Sequence, residues 1–320
     1  MTEQEGQAAG EPTLRIAGIG DAPSMLRIIR EAFSARPSLD PPADAFGDDL
    51  AAIADRLASQ VGIIASVGGR DAGCLFLSSH EDGVGMLHRV SVLPDQRQHG
   101  VAAEMVRAAA HVALDLGLRR IRLIARRELP QMVAWWGKHG FTVVDELDEH
   151  RYVLSTELPV RVVVPTADDM RLLGVRLARL MRAGDLVVAS GELGAGKTTL
   201  TQGLGEGLGV EGPITSPTFV LSRIHPARNG GPALVHVDAY RLGSAAELED
   251  IDLDSSLAET ITIVEWGEGL AEGLSDDRLE IEIDRSGDVA DDTRTVLLRG
   301  VGERWQGVDL QALVPDQEAL

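Results

Sequence analysis

The run Gly191-Glu192-Leu193-Gly194-Ala195-Gly196-Lys197-Thr198 sets glycines, a lysine and a hydroxyl in the spacing G-x-x-x-x-G-K-[ST]. Each residue type answers one need of phosphate chemistry. Glycines let backbone N–H groups turn inward and approach phosphate oxygens. A helix expected from Thr199 onward adds the positive end of its dipole. Lys197 reaches the β- and γ-phosphates as a point charge, and the Thr198 hydroxyl ligates magnesium. The expected ligand is ATP with Mg2+, held by Gly191, Gly194, Ala195, Gly196, Lys197, Thr198 and Thr199. Lys and Arg together number 30, yet only Lys138 and Lys197 are lysines. A lysine kept at 197 marks a place where the planar fork of arginine fits badly.

The magnesium also needs a carboxylate. Two acids end apolar runs: Asp238 closes 233–237, and Glu265 closes 261–264. In a parallel sheet the strand C-termini gather on one edge beside the phosphate loop, which brings both acids to the γ-phosphate.

Four motifs then occur in order: the loop through Thr199, Ser216-Pro217-Thr218-Phe219, His236-Val237-Asp238-Ala239-Tyr240-Arg241-Leu242, and Val264-Glu265-Trp266. The series resembles the TsaE family, the small ATPase of bacterial tRNA threonylcarbamoyladenosine biosynthesis, over about 160–308. The resemblance implies an ATPase subunit acting with TsaB and TsaD in threonylcarbamoylation of the adenosine next to the anticodon. By the same resemblance Lys197 holds phosphate, Thr198 and Glu265 ligate magnesium, and Asp238 orients water or the γ-phosphate. Thr218 falls in the segment that senses nucleotide, Trp266 shapes the pocket, and the helix start at Thr166 approaches the nucleotide.

A second loop, in the first half of the chain, has phosphate-binding character without the lysine. Val90-Ser91-Val92-Leu93-Pro94 leads into Arg97-Gln98-His99-Gly100-Val101-Ala102 and then a helix. Backbone N–H groups around Gly100 and the helix start can cradle a pyrophosphate. With Trp135-Trp136-Gly137-Lys138-His139-Gly140-Phe141 downstream, the half resembles the GNAT N-acetyltransferases over about 14–154. That implies acetyl-CoA bound by Val92, Arg97, Gly100, Val101 and Ala102. Two positions depart from the family's pattern: Leu129 stands where many members have Asn, and Trp136 where they have the Tyr that returns a proton to the leaving thiolate. An indole cannot do this. His88 is a candidate general base, and Lys138 a support for the fold or a phosphate. Glu104 reads as a helix-surface residue.

These residues require two α/β units. The first is a GNAT-type mixed sheet with helices over 13–157, after a disordered leader at 1–12; the second is a P-loop NTPase sheet flanked by helices over 159–310, with a tail at 311–320. In the first, strands are expected at 14–17, 61–67, 72–78, 84–93, 120–125, 141–144 and 152–155, with helices at 21–33, 49–58, 101–116 and 130–139. In the second, strands are expected at 160–164, 185–190, 233–237, 261–264, 279–283 and 294–298, the last two as a hairpin. Thr166 caps a helix over 167–182.

Bulk properties bound the partners. At 320 residues, with 44% hydrophobic and 25% charged side chains, each half can bury its own core. The net charge of −20 repels a nucleic-acid backbone, so any tRNA is held through partner proteins. One cysteine, Cys74, excludes an internal disulfide framework. The polar, acidic start lacks the features of a signal peptide, and no apolar run reaches membrane-spanning length, which points to a cytoplasmic protein with no membrane role. Two alternatives share these motifs: a P-loop small-molecule kinase, and an ATPase carrying a non-catalytic acetyl-CoA-binding module.

Overall fold

Strand and helix patterns alternate along the chain, and most of the longer elements form where their apolar period predicts. The computed structural model describes residues 12–80, 82–97, 99–218, 220–242, 244–249, 251, 253–285 and 292–315. Residues 1–11 of the expected leader, 316–320 of the expected tail, and Gln98 and Phe219 of the motifs lie outside the described residues. The chain divides into two compact units, Met1–Leu158 and Pro159–Leu320.

The first unit runs β1 (Thr13–Ala17), α1 (Ala22–Ser34), α2 (Leu50–Ser59), β2 (Val61–Val67), β3 (Arg70–His80), β4 (Val84–Val92), α3 (Val101–Asp115), β5 (Arg120–Arg126), α4 (Pro130–Lys138), β6 (Thr142–Asp148) and β7 (Arg151–Glu157). The strands form one sheet in the order β1-β2-β3-β4-β5-β7-β6. Alternate side chains of a strand face opposite sides, so the central strands feed two cores. Ile63, Leu75 and Leu77 meet Val101, Met105 and Ala109 of α3. Ile64, Cys74 and Phe76 meet Met25, Ile28 and Ile29 of α1. All strand pairs are antiparallel except β4 with β5.

The second unit runs β8 (Val160–Val164), α5 (Ala167–Ala178), β9 (Leu186–Ser190), α6 (Lys197–Leu208), β10 (Ser222–His225), β11 (Leu234–Asp238), α7 (Ala245–Glu249), α8 (Asp254–Leu257), β12 (Ile261–Glu265), β13 (Arg278–Arg285) and β14 (Arg294–Val301). Its sheet has the order β10-β11-β12-β9-β13-β14-β8. The central four strands are parallel and the outer ones antiparallel, so the sheet is mixed. β9 sits between β12 and β13, which puts the loop that follows it at the point where chain order reverses.

Helices α5 and α6 cross at backbone distance. A methyl at Gly203 would run into the Arg171 carbonyl, one at Gly174 into the Leu200 carbonyl, and one at Gly207 into Ala178. Helix α5 is shorter than expected, ending at Ala178 rather than 182. Buried Asp185 accepts from the Arg182 amide at 2.8 Å and from Arg304, while Arg304 also caps the Leu180 carbonyl at 2.7 Å. The carbonyls and amides past Ala178 thus have better partners than another helical turn offers. β10, α7 and α8 carry too few residues for a periodic signal and were not foreseen.

Candidate functional site

Register builds the site of the second unit. Asp238 lies directly opposite Glu265 across β11 and β12, and Glu265 lies opposite Ala189 near the end of β9. Both acids therefore stand at one level, where the glycine-rich loop leaves the sheet. Gly191 (φ 138°), Gly194 (φ 78°) and Gly196 (φ 117°) take backbone conformations that suit glycine, and a side chain at Gly191 would collide with the Ile283 carbonyl. Ala195 is buried under the loop, and Thr199 is half-buried on the first turn of α6.

Lys197 is only 5% exposed. Its Nζ donates to the carbonyls of Gly191 at 2.6 Å and Glu192 at 3.0 Å, and it lies 3.6 Å from the centroid of the Trp266 ring. Burial lowers its pKa, and the carboxylates of Glu265 and Asp238 pull the other way. Thr198 Oγ1 donates to Glu265 Oε2 at 2.9 Å. Glu265 Oε1 accepts from His236 Nε2 at 2.8 Å and Thr201 Oγ1 at 3.2 Å. Asp238 Oδ2 accepts from Ser216 at 2.8 Å and Thr218 at 2.5 Å, and Oδ1 accepts from the Tyr240 amide at 3.1 Å. Trp266 holds a positive φ of 60° beside these groups, a strained conformation for a bulky residue. The Thr166 hydroxyl is spent on capping α5: it accepts from the Asp169 amide at 3.2 Å and donates to the Asp169 carboxylate. What reaches the loop from that helix is Met170, whose side chain lies against Gly196.

The donor set suits magnesium, a hard cation that takes oxygen ligands. Thr198 and Glu265 supply a hydroxyl and a carboxylate side by side. Among the described residues there is no group of three or more His, Cys, Asp and Glu that could hold a metal ion. Three residues had no assigned role at the sequence level: Ser216, Thr201 and His236. Their signals were present, since Thr201 lies one turn after Thr198 and His236 shares a strand face with Asp238.

In the first unit, β4 and β5 pair only over Val84–Met86 and Arg120–Arg122. Both strands continue, β4 to Val92 and β5 to Arg126, so the sheet splits into a wedge. Gly100 opens α3 with a φ of 69° and no side-chain cap, leaving first-turn N–H groups to point outward. The side chains of Val92 and Val101 are buried and Ala102 is half-buried, so only their backbones can serve a ligand. Arg97 departs from its expected place: its guanidinium donates to the Ala32 carbonyl at 3.1 Å, at the end of α1. Burial pushes the Arg36 pKa down to about 10, and the positive charge of Arg97 pushes it the same way.

His88 lies 3.0 Å from Ser78 Oγ. Burial, with Arg56, Arg89 and His80 nearby, pushes its pKa down to about 4, so it is neutral at pH 7 and a weak base. Its neighbour Arg89 takes a positive φ of 52° at an irregularity of β4 and pairs with buried Asp48 at 2.6 Å. Trp136 is buried against Phe141, 5.0 Å between ring centroids, and Leu129 occupies the N-cap of α4 without a side-chain bond. Lys138 lies in the last turn of α4, and Glu104 pairs with Arg107 on α3.

Comparison with known proteins matches each unit to a family. The model of the threonylcarbamoyl adenosine biosynthesis protein TsaE matches residues 164–296, and that of the acetyltransferase (GNAT) family matches 23–141. The chain is 62% identical over 146 residues to the tRNA threonylcarbamoyladenosine biosynthesis protein TsaE of Streptomyces coelicolor, covering 45% of this chain and 99% of that one. It is 36% identical over 151 residues to the protein of that name from Bacillus subtilis, covering 47% and 90%. Among solved structures it is similar to the PaiA N-acetyltransferase of Thermoplasma acidophilum in complex with coenzyme A, at 14% identity and a TM-score of 0.42, over 46% of this chain and 99% of that one. The chain belongs to the TsaE family through its C-terminal half, which a GNAT-family acetyltransferase domain precedes in the same polypeptide.

Proposed function

We propose that the C-terminal unit hydrolyses Mg-ATP as the ATPase subunit of tRNA threonylcarbamoyladenosine synthesis, acting with TsaB and TsaD. The observation that carries this is the pair Thr198 and Glu265, 2.9 Å apart at the exit of β9 with Lys197 beside it. Lys197 and the loop amides take the β- and γ-phosphates. In doing so the ammonium exchanges neutral carbonyls for anionic oxygens, which are stronger acceptors. Thr198 and Glu265 hold magnesium, which neutralises charge on the phosphate oxygens. Asp238 orients water for in-line attack; the bond from the γ-phosphorus to the β,γ-bridging oxygen breaks, leaving ADP and phosphate. Its ties to Ser216 and Thr218 connect nucleotide state to the segment at 215–218.

The N-terminal unit takes an acyl-CoA in the β4–β5 wedge, its pyrophosphate on the amides of Gly100, Val101 and Ala102, and transfers the acyl group to an amine. With His88 neutral and Trp136 lacking an acidic proton, water is the fitting carrier for the protons of that step. ATP and tRNA are cytoplasmic, and so is this role; among the described residues no helix is long and apolar enough to cross a membrane.

The test is ATP hydrolysis by the full chain, alone and with TsaB and TsaD, with Lys197→Ala as control. Stimulation by the pair that disappears in the variant is the expected result. Phosphate transferred to an added metabolite, rather than released, would replace this reading with that of a kinase.

A further inference from the structure

Behind the Thr198–Glu265 pair lies His236, to which nucleotide binding gives no role. It is fully buried on β11, on the same face as Asp238 and opposite Ile263, one pleat below Glu265. The inward positions around it on this face are apolar: Leu234, Ile261 and Ile263. An imidazole here needs a reason, since its Nδ1 is buried with no hydrogen-bond partner among the described residues. Among the described residues its one hydrogen bond is Nε2 to Glu265 Oε1 at 2.8 Å. A carboxylate only accepts, so Nε2 carries the proton. The Thr201 hydroxyl lies 3.2 Å from the same oxygen and shares its one proton with the Lys197 carbonyl at 3.0 Å, while Oε2 faces Thr198 at 2.9 Å.

We propose that His236 is a positioning residue for the magnesium site. With Thr201 it fixes Glu265 Oε1 from behind, so that Oε2 is presented to the metal beside Thr198. A free glutamate has three side-chain torsions to order before it can ligate; the His236 N–H on Oε1, backed by the shared Thr201 hydroxyl, removes that freedom before the metal arrives. Hydrogen bonds behind a ligand orient it and typically account for 10–100-fold in metal affinity. The inference rests on Thr198 and Glu265 as the magnesium pair.

The test uses the full chain with ATP and manganese as the spectroscopic stand-in for magnesium. Manganese affinity of the nucleotide complex is read by electron paramagnetic resonance, and nucleotide affinity is read separately in EDTA. His236→Leu, which fills the space without a donor, is expected to weaken manganese binding about 10–100-fold while leaving nucleotide affinity in EDTA unchanged. His236→Gln, whose amide N–H can reach Glu265, is expected to restore most of the loss. Thr201→Val removes the second donor with little change of volume, and is expected to shift manganese affinity in the same direction even where His236→Leu folds poorly. Wild-type manganese affinity in both His236→Leu and Thr201→Val, with nucleotide bound, overturns the role of His236. So does a His236→Gln variant as weak as His236→Leu. A wild-type chain that binds no nucleotide overturns the phosphate-loop reading itself.

Discussion

The Lys197 ammonium donates to the carbonyls of its own loop and packs on the Trp266 ring. Lys197→Ala removes a charge-assisted contact worth roughly 1.5–3 kcal/mol, so ATP affinity is expected to fall about 10–100-fold in calorimetric titration. Hydrolysis should fall further, because the contact strengthens as charge shifts in the transition state. Unchanged turnover in this variant would falsify the phosphate-loop assignment. His88 makes a prediction of opposite character. Its folded pKa of about 4 lies below its ordinary value of 6.5. The unfolded chain therefore binds the proton first as pH falls, and the stability present above 6.5 drains away between 6.5 and 4. Denaturant midpoints of the wild-type N-terminal unit should drop from pH 7 to pH 5, and His88→Gln should flatten that drop. An equal drop in both would remove His88 as the cause.

At the scale of elements, the close crossing of α5 and α6 sets where the phosphate loop sits. Helix α6 begins at Lys197, and Met170 of α5 packs on Gly196. Gly203→Ala puts a methyl against the Arg171 backbone, which cannot rotate away as a side chain can. Overpacking of this kind costs about 1–3 kcal/mol, so the unfolding midpoint of the C-terminal unit is expected to fall by roughly 2–12 °C in a thermal melt. Nucleotide affinity should fall with it if the loop moves with the helix. Most elements were legible because long amphipathic runs announce themselves; the end of α5 was not, because Asp185 and Arg304 compete for the backbone beyond Ala178 from 7 residues and 126 residues away in the chain.

At the scale of the whole molecule, the net charge of −20 on 320 residues governs which partners approach. Binding to tRNA through phosphate contacts requires clustered cations that release counterions. The full chain alone is expected to show no tRNA shift in a gel at 0.15 M salt, and to enter a tRNA complex only when TsaB and TsaD are added. A salt-sensitive complex with tRNA alone would mean a basic face that the composition does not suggest.

The linear sequence determined the chemistry on offer. A glycine-rich loop ending in Lys197-Thr198, and acids at the ends of apolar runs, are local patterns, because backbone amides, helix dipole and strand terminus lie within a few residues of each other. It likewise pointed to the helix start at Gly100 and to two α/β units. Only the tertiary structure decided how those groups are engaged. The register of β11 against β12 makes Asp238 and Glu265 neighbours, 27 residues apart in the chain, and puts His236 beneath one of them. The fold turns Arg97 toward Ala32, commits the Thr166 hydroxyl to a helix cap, and lowers His88 by burial. Hydrogen-bond partners and desolvation depend on distance in space, and distance in space between remote segments is set by packing, which no local pattern encodes.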